Sequence, residues 1–144
     1  MKPKCCTLFI GILLFNITAA QNQANIWYFG NFAGLDFNSG VPVNTNEIPA
    51  SSGNAMSVMC DTNGDFMFCF NGNEIWNREG DFMPNGENLI GDERASMGAL
   101  IVQQPGSDHL YYTFTVGYKQ AELIGMHYSV VDMNLDGGLG DVTS

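Results

Sequence analysis

Apolar residues in this chain come in short bursts separated by turn formers, and the bursts are rich in aromatic and β-branched side chains. Eight such runs predict strands: Ile26 to Phe29, Leu35 to Phe37, Ala55 to Cys60, Asp65 to Phe70, Glu74 to Trp76, Ala99 to Val102, Leu110 to Val116 and His127 to Val131. Between them lie Asn31 to Gly34, Asn38 to Pro42, Asp61 to Gly64, Asn71 to Asn73, Pro84 to Glu87, Pro105 to Asp108 and Leu135 to Gly140, all rich in Gly, Pro, Asn and Asp. These residues tolerate positive φ or bond their own backbone, so the segments predict hairpin connections. No run after residue 20 has the length of a confident helix, and the pattern predicts an all-β protein.

Alternation within the strands refines that reading. In the fourth run Phe66, Phe68 and Phe70 are expected on one face, with Met67 and Cys69 on the other. In the seventh, Leu110, Tyr112, Phe114 and Val116 oppose Tyr111, Thr113 and Thr115. Both faces are substantially apolar, whereas a sheet with one wet face alternates cleanly between apolar and polar. The strands are therefore expected to be covered on both sides, as the blades of a propeller are by their neighbours. Two segments also share one plan of strand, turn and two further strands, and their first strands, at Ala55 and Ala99, start 44 residues apart. That spacing suits four-stranded blades. The expected fold is a set of antiparallel four-stranded blades of an incomplete β-propeller, with a β-sandwich as the alternative. At roughly 45 residues per blade the chain after residue 20 makes fewer than three blades, short of the about 4 to 8 that close a ring. A fragment of a larger protein is the expectation.

The first twenty residues read differently. Lys2 and Lys4 precede an apolar run from Cys5 to Ile17, too short for a lasting membrane anchor, and Thr18-Ala19-Ala20 offers a small-residue cleavage site before Gln21. A cleaved signal peptide at 1–20 and a secreted or cell-surface domain at 21–144 are expected, with no membrane span after cleavage. Loss of the two lysines leaves three basic against fifteen acidic residues, a net charge of −12. Such a surface repels phosphate backbones and anionic lipid, so nucleic acid is not an expected partner.

Candidate chemistry is sparse. Asp132-Met133-Asn134-Leu135-Asp136-Gly137 matches the first half of a calcium loop, but position twelve is Thr143 rather than Glu, and a glycine-rich turn is the expectation. Asp61, Asn63 and Asp65 read as a hairpin turn in which Asn63-Gly64 supplies positive φ. Ser107-Asp108-His109 holds the residue types of a hydrolase triad, yet chain neighbours diverge and cannot form the relay. Gly138-Leu139-Gly140 lacks the third glycine of a dinucleotide fingerprint, with Thr143 in its place. His109 and His127 have no paired-ligand spacing for zinc. Asp92-Glu93 could in principle flank a glycosidic bond, although a solvated surface is the simpler account. Trp27 and Trp76 lie in apolar runs and are expected in the core. Cys60 and Cys69 remain after leader cleavage. A two-residue Asn63-Gly64 turn would set Cys60 opposite Met67 and leave Cys69 diagonal to it, a long reach for a disulfide. No catalytic, cofactor-binding or metal residues are assigned, and no cofactor is expected.

Several stretches resemble a known family. Asn25-Ile26-Trp27-Tyr28-Phe29-Gly30 followed by Ala33-Gly34-Leu35-Asp36-Phe37-Asn38-Ser39-Gly40 is similar to the opening of large secreted gliding-motility-associated or surface-adhesion proteins of Bacteroidota. Ile75-Trp76-Asn77 with Met83-Pro84-Asn85-Gly86, and Tyr128 to Met133 with Leu135 to Val142, resemble that family's blade motifs. The resemblance implies a propeller-like N-terminal region, usually followed by PKD-type immunoglobulin-like repeats and a C-terminal sorting domain for type IX secretion. It also implies a non-enzymatic adhesion module whose partners are the downstream blades and domains of the full-length protein, with surface proteins or glycans beyond them. The alternative is the non-catalytic N-terminal region of an exported hydrolase or glycan-processing enzyme.

Overall fold

The computed structural model describes residues 22–45, 50, 53–117 and 125–144. The signal-peptide reading of residues 1–20 lies outside them. Among the described residues ten strands form three antiparallel sheets. The first contains β1 (Ile26–Tyr28), β2 (Gly34–Asp36) and β3 (Val43–Thr45). The second contains β4 (Ser57–Cys60), β5 (Phe66–Phe70) and β6 (Ile75–Asn77). The third contains β7 (Ala99–Gln103), β8 (Leu110–Val116), β9 (Met126–Asp132) and β10 (Asp141–Val142). Each sheet is a meander in which sequence neighbours pair. All eight expected strands are present; β3 and β10, both short and polar or glycine-flanked, were not legible from periodicity.

Among the described residues only the third sheet has four strands, so the four-stranded plan is too generous for what is described of the other two. The second sheet carries the start of a fourth strand: Trp76 bridges Phe82, and the Ile75 and Met83 N–H groups donate to the Gly86 and Ile75 carbonyls, each at 2.9 Å. Among the described residues the sheets do not close into a barrel or ring.

Two apolar clusters show how the sheets stack. Phe68, Phe70 and Ile75 of the second sheet pack with Ile101, Tyr111, Val131 and Val142 of the third, joined by Met83 and Met133. Cys69 and Trp76, on the opposite face of the second sheet, pack with Tyr28 of the first and with Ala50. The middle sheet is thus buried on both faces, as its two-sided apolar pattern predicts. Its β4 lies against β1 on one side and β7 on the other, so the first strand of each meander sits beside the first strand of the next. At the opposite edge the Val142 N–H donates to the Pro84 carbonyl at 3.1 Å and Asn85 Nδ2 to Asp141 Oδ1 at 2.8 Å, lacing the second and third sheets together.

One turn re-aims a strand. Asp61 Oδ1 accepts the backbone N–H of Asn63 at 2.8 Å and of Asp65 at 2.9 Å, widening the β4–β5 connection beyond a two-residue turn. Positive φ falls on Gly64 alone, at 96°, rather than on Asn63 as well. Cys60 consequently pairs with Phe66, Met59 with Phe68, and Met67 bulges without a partner. The extra residue puts Met67 on the same side as Phe68 and turns Phe66 to the other face, where it packs at 5.4 Å from the Tyr28 ring. The expected row of Phe66, Phe68 and Phe70 is therefore broken, and Cys69 stands opposite Val58. Both Cys60 and Cys69 are buried free thiols.

Candidate interaction surfaces

Most polar candidates are occupied in holding turns. Asp132 Oδ1 accepts the Asn134 N–H at 2.9 Å, and Asp136-Gly137-Gly138 forms a short 3-10 turn leading into β10. Thr143, at the twelfth position of the would-be calcium loop, pairs with β9 through its N–H to the Val130 carbonyl at 2.8 Å. The segment is a strand connection and does not wrap. Among the described residues no three His, Cys, Asp or Glu side chains converge on a cation position.

Ser107, Asp108 and His109 do meet, contrary to the divergence expected of them, but at the wrong atom. Ser107 Oγ lies 3.4 Å and Asp108 Oδ1 2.8 Å from the same imidazole nitrogen, Nδ1. A relay needs the two partners on opposite ring nitrogens. Ser107 Oγ instead accepts the His109 and Leu110 N–H groups, closing the turn at Pro105-Gly106. The hydrogen bond from His109 holds the Asp108 carboxyl below its ordinary range. His127 lies in β9 across from Thr115.

Asp92 and Glu93 point to different environments: Asp92 is buried, Glu93 exposed. The Arg94 side chain grips both oxygens of Asp92, and Oδ1 also accepts the Arg94 backbone N–H. These bonds lower the carboxyl to about 2. The pair lines a polar groove of about 470 Å³ with Asn73, Glu74 and Gly91.

The larger features are apolar and lie at the two ends of the stack. In β8 the alternation is as predicted, but burial is the reverse of hydrophobicity. Tyr111, Thr113 and Thr115 face the core, the threonine hydroxyls donating to the Ser129 and Ile90 carbonyls. Tyr112 and Phe114 face outward. Cross-strand register brings them to Val102, Leu100 and Tyr128. The rings of Tyr112, Phe114 and Tyr128 lie 5.9–6.2 Å apart, and Tyr128 is 61% and Leu100 54% exposed. Two-sided cover was expected for this strand; among the described residues it has cover on one side only.

The first sheet ends the stack similarly. Ile26 and Tyr28 turn inward, while Trp27 is half exposed and stacks 5.0 Å from Phe37 and 6.4 Å from Phe29. Trp27 thus corrects the core expectation that Trp76, buried against Phe82, meets. Its indole N–H donates to the Ala24 carbonyl at 2.8 Å, which fixes the ring on the surface. At the β1–β2 hairpin both central residues, Asn31 and Phe32, have positive φ, 50° and 59°, and the Phe32 side chain is exposed. This aromatic end was hidden in the sequence because a strand residue and a hairpin phenylalanine give no period that marks them as outward.

No protein-family model, curated protein or solved structure matches this chain.

Proposed function

We propose that this chain is a non-enzymatic, exported interaction module, the opening part of a β-propeller belonging to a cell-surface or adhesion-type protein. The observation that carries the reading is the order of the stack. Each meander begins with a strand lying beside the first strand of the next, β1 by β4 and β4 by β7, and the middle sheet is covered on both faces. Radial blades are built in this way, innermost strand first and face against face. The two aromatic ends would then be unfinished blade faces that accept further sheets, and their rims would meet surface proteins or glycans. Patches of this kind on a soluble protein mark interaction sites.

The chemistry of the polar groups supports a scaffold over a catalyst. Asp61, Asn71, Asn77, Asp92 and Asp132 spend their side-chain oxygens on backbone N–H groups two to four residues away. An acid or base for catalysis needs that capacity aimed at a substrate. The purified protein, tested against a glycan array and a panel of chromogenic glycosides and esters, is expected to bind without turnover. Turnover proportional to protein concentration would overturn the non-enzymatic reading.

A further inference from the structure

We propose that the edges of β1, β4 and β7 carry a binding groove for a neutral oligosaccharide, made of two lobes on either side of Ala24. The inference rests on the interaction-module reading above and names its ligand class.

The groove follows from how the chain enters the stack. Residues Asn22–Ala24 form a 3-10 turn that lies against β4, the edge strand of the second sheet, just before β1 begins. Asn22 Nδ2 donates to the Thr62 carbonyl at 3.2 Å, and Gln23 Nε2 donates to Gln103 Oε1 in β7 at 3.2 Å. The turn is thereby tied to the second and third sheets and divides the space along the strand edges. Between β1 and β4 a cavity of about 380 Å³ is bordered by Ala24, Trp27, Tyr28, Met56, Ser57 and Val58. Between β4 and β7 a cavity of about 410 Å³ is bordered by Gln23, Ala24, Val58, Met59, Ile101 and Gln103. Each falls within the about 300–1,000 Å³ of small-ligand sites. Both run along the junctions between neighbouring sheets, so further sheets added to either end of the stack leave them open.

The lining chemistry selects the ligand. Among the described residues no charged side chain borders either lobe, in a chain with 15 acidic and 5 basic residues. An ionic ligand would give up its water there without gaining a counter-charge. The groove at Asp92, Glu93 and Arg94 differs in this respect. The polar groups of the lobes are amides and a hydroxyl. Gln103 Nε2 donates to the Ser107 carbonyl at 2.8 Å, which fixes its amide, and Ser57 Oγ accepts the Ile101 N–H at 3.1 Å, which leaves the hydroxyl hydrogen to donate. A planar amide presents donor and acceptor side by side, a match for neighbouring sugar hydroxyls. Trp27 has its indole N–H bonded to the Ala24 carbonyl at 2.8 Å, so it offers a ligand its ring alone, which suits the apolar C–H groups of a sugar. An extended peptide is the rival occupant, and it needs a continuous run of free backbone groups on a strand edge. That run is interrupted twice: Ser57 takes the central N–H of β7, and the Asn22–Ala24 turn lies against β4.

Titration calorimetry tests the site, with neutral hexasaccharides of glucose, mannose and N-acetylglucosamine as probes and oligogalacturonate as their charged counterpart. At least one neutral hexasaccharide is expected to bind and oligogalacturonate is not. Binding should also shift the emission of Trp27, which is half exposed, whereas Trp76 is buried. Gln23→Ala and Gln103→Ala should each weaken binding by about tenfold, the loss of one or two hydrogen bonds to the ligand. Gln23→Glu, equal in shape and charged, is a second variant expected to weaken binding as much, and circular dichroism verifies that each protein remains folded. Glu93→Gln, in the charged groove, should leave binding unchanged. Three results would overturn the proposal: no neutral hexasaccharide bound, whether or not a neutral peptide binds instead; oligogalacturonate bound as tightly as the neutral sugars; or an affinity unchanged in all the glutamine variants. The interaction-module reading fails on a different result, turnover of a glycoside or ester, so the two are judged separately.

Discussion

The Phe68 ring of the middle sheet meets the Tyr111 ring of the third sheet edge to face, with centroids 5.5 Å apart and planes at 78°. Phe68 is fully buried and Tyr111 nearly so. This geometry suits the ring quadrupoles and ties two sheets through side chains alone. Phe68→Ala removes the ring and leaves a cavity, so a loss of about 3–5 kcal/mol is expected in urea unfolding. A loss below about 1 kcal/mol would mean that the two sheets do not depend on this contact.

Gly91 lies where three segments converge. A Cβ added there would meet the Gly72 carbonyl oxygen and Thr115 Oγ1, one from the β5–β6 turn and one from β8. Neither atom belongs to a long flexible side chain that can swing away. Gly91→Ala is expected to cost about 2 kcal/mol or more, measured as a lowered denaturant midpoint with unchanged slope. Gly106→Ala is a contrasting control, because its Cβ meets only open space and the cost comes from a φ of 81°.

Phe32 holds a left-handed backbone at the hairpin tip while its side chain is exposed. Such a conformation costs a non-glycine residue roughly 1–2 kcal/mol, and glycine's greater freedom in the unfolded chain returns part of it. Phe32→Gly should therefore raise stability by about 0.5–1 kcal/mol, seen as a higher melting temperature. If the phenylalanine is kept for contact with a partner, the same substitution weakens association.

The buried thiols set the alkaline limit. Burial pushes Cys60 up to about 11 and Cys69 up to about 12, from an ordinary 9.0. The folded state therefore holds these protons more tightly than the unfolded chain. Their contribution is complete below pH 9 and is lost as pH rises through 11 and 12. At the acid end Asp92 behaves oppositely: lowered to about 2 by its Arg94 bonds, it favours folding above its ordinary 3.8 and loses that contribution as pH falls toward 2. A denaturation series across pH should fall at both ends, and Asp92→Asn should flatten the acid limb. Thiol reagents should leave Cys60 and Cys69 unmodified until the protein unfolds.

Export is tested at the N-terminus. Expression in a Gram-negative host should place outside the cytoplasm a product that begins at Gln21, as read by mass spectrometry. An intact Met1 form retained in the cytoplasm would overturn the secreted assignment.

The residues that could be read from the sequence are those whose constraint is local. Pro105 and Gly106 specify a turn because proline fixes φ and glycine accepts the positive φ of 81°. Phe68 and Phe70 alternate with Cys69 because side chains on a strand do so whatever surrounds them. The class of the fold and the positions of eight strands follow from such terms. What depends on long-range pairing did not. The Asp61 carboxylate widens one turn, Met67 bulges, and Phe66 crosses to the opposite face from Phe68. In β8 no local rule ranks the Thr113–Thr115 side below the Tyr112–Phe114 side for burial. The threonine hydroxyls donate to the Ser129 and Ile90 carbonyls on the inner side, and the aromatic side is left outward. Local stereochemistry determines which residues form strands, but only packing between distant segments decides which face of a two-sided strand becomes the core and which becomes the surface.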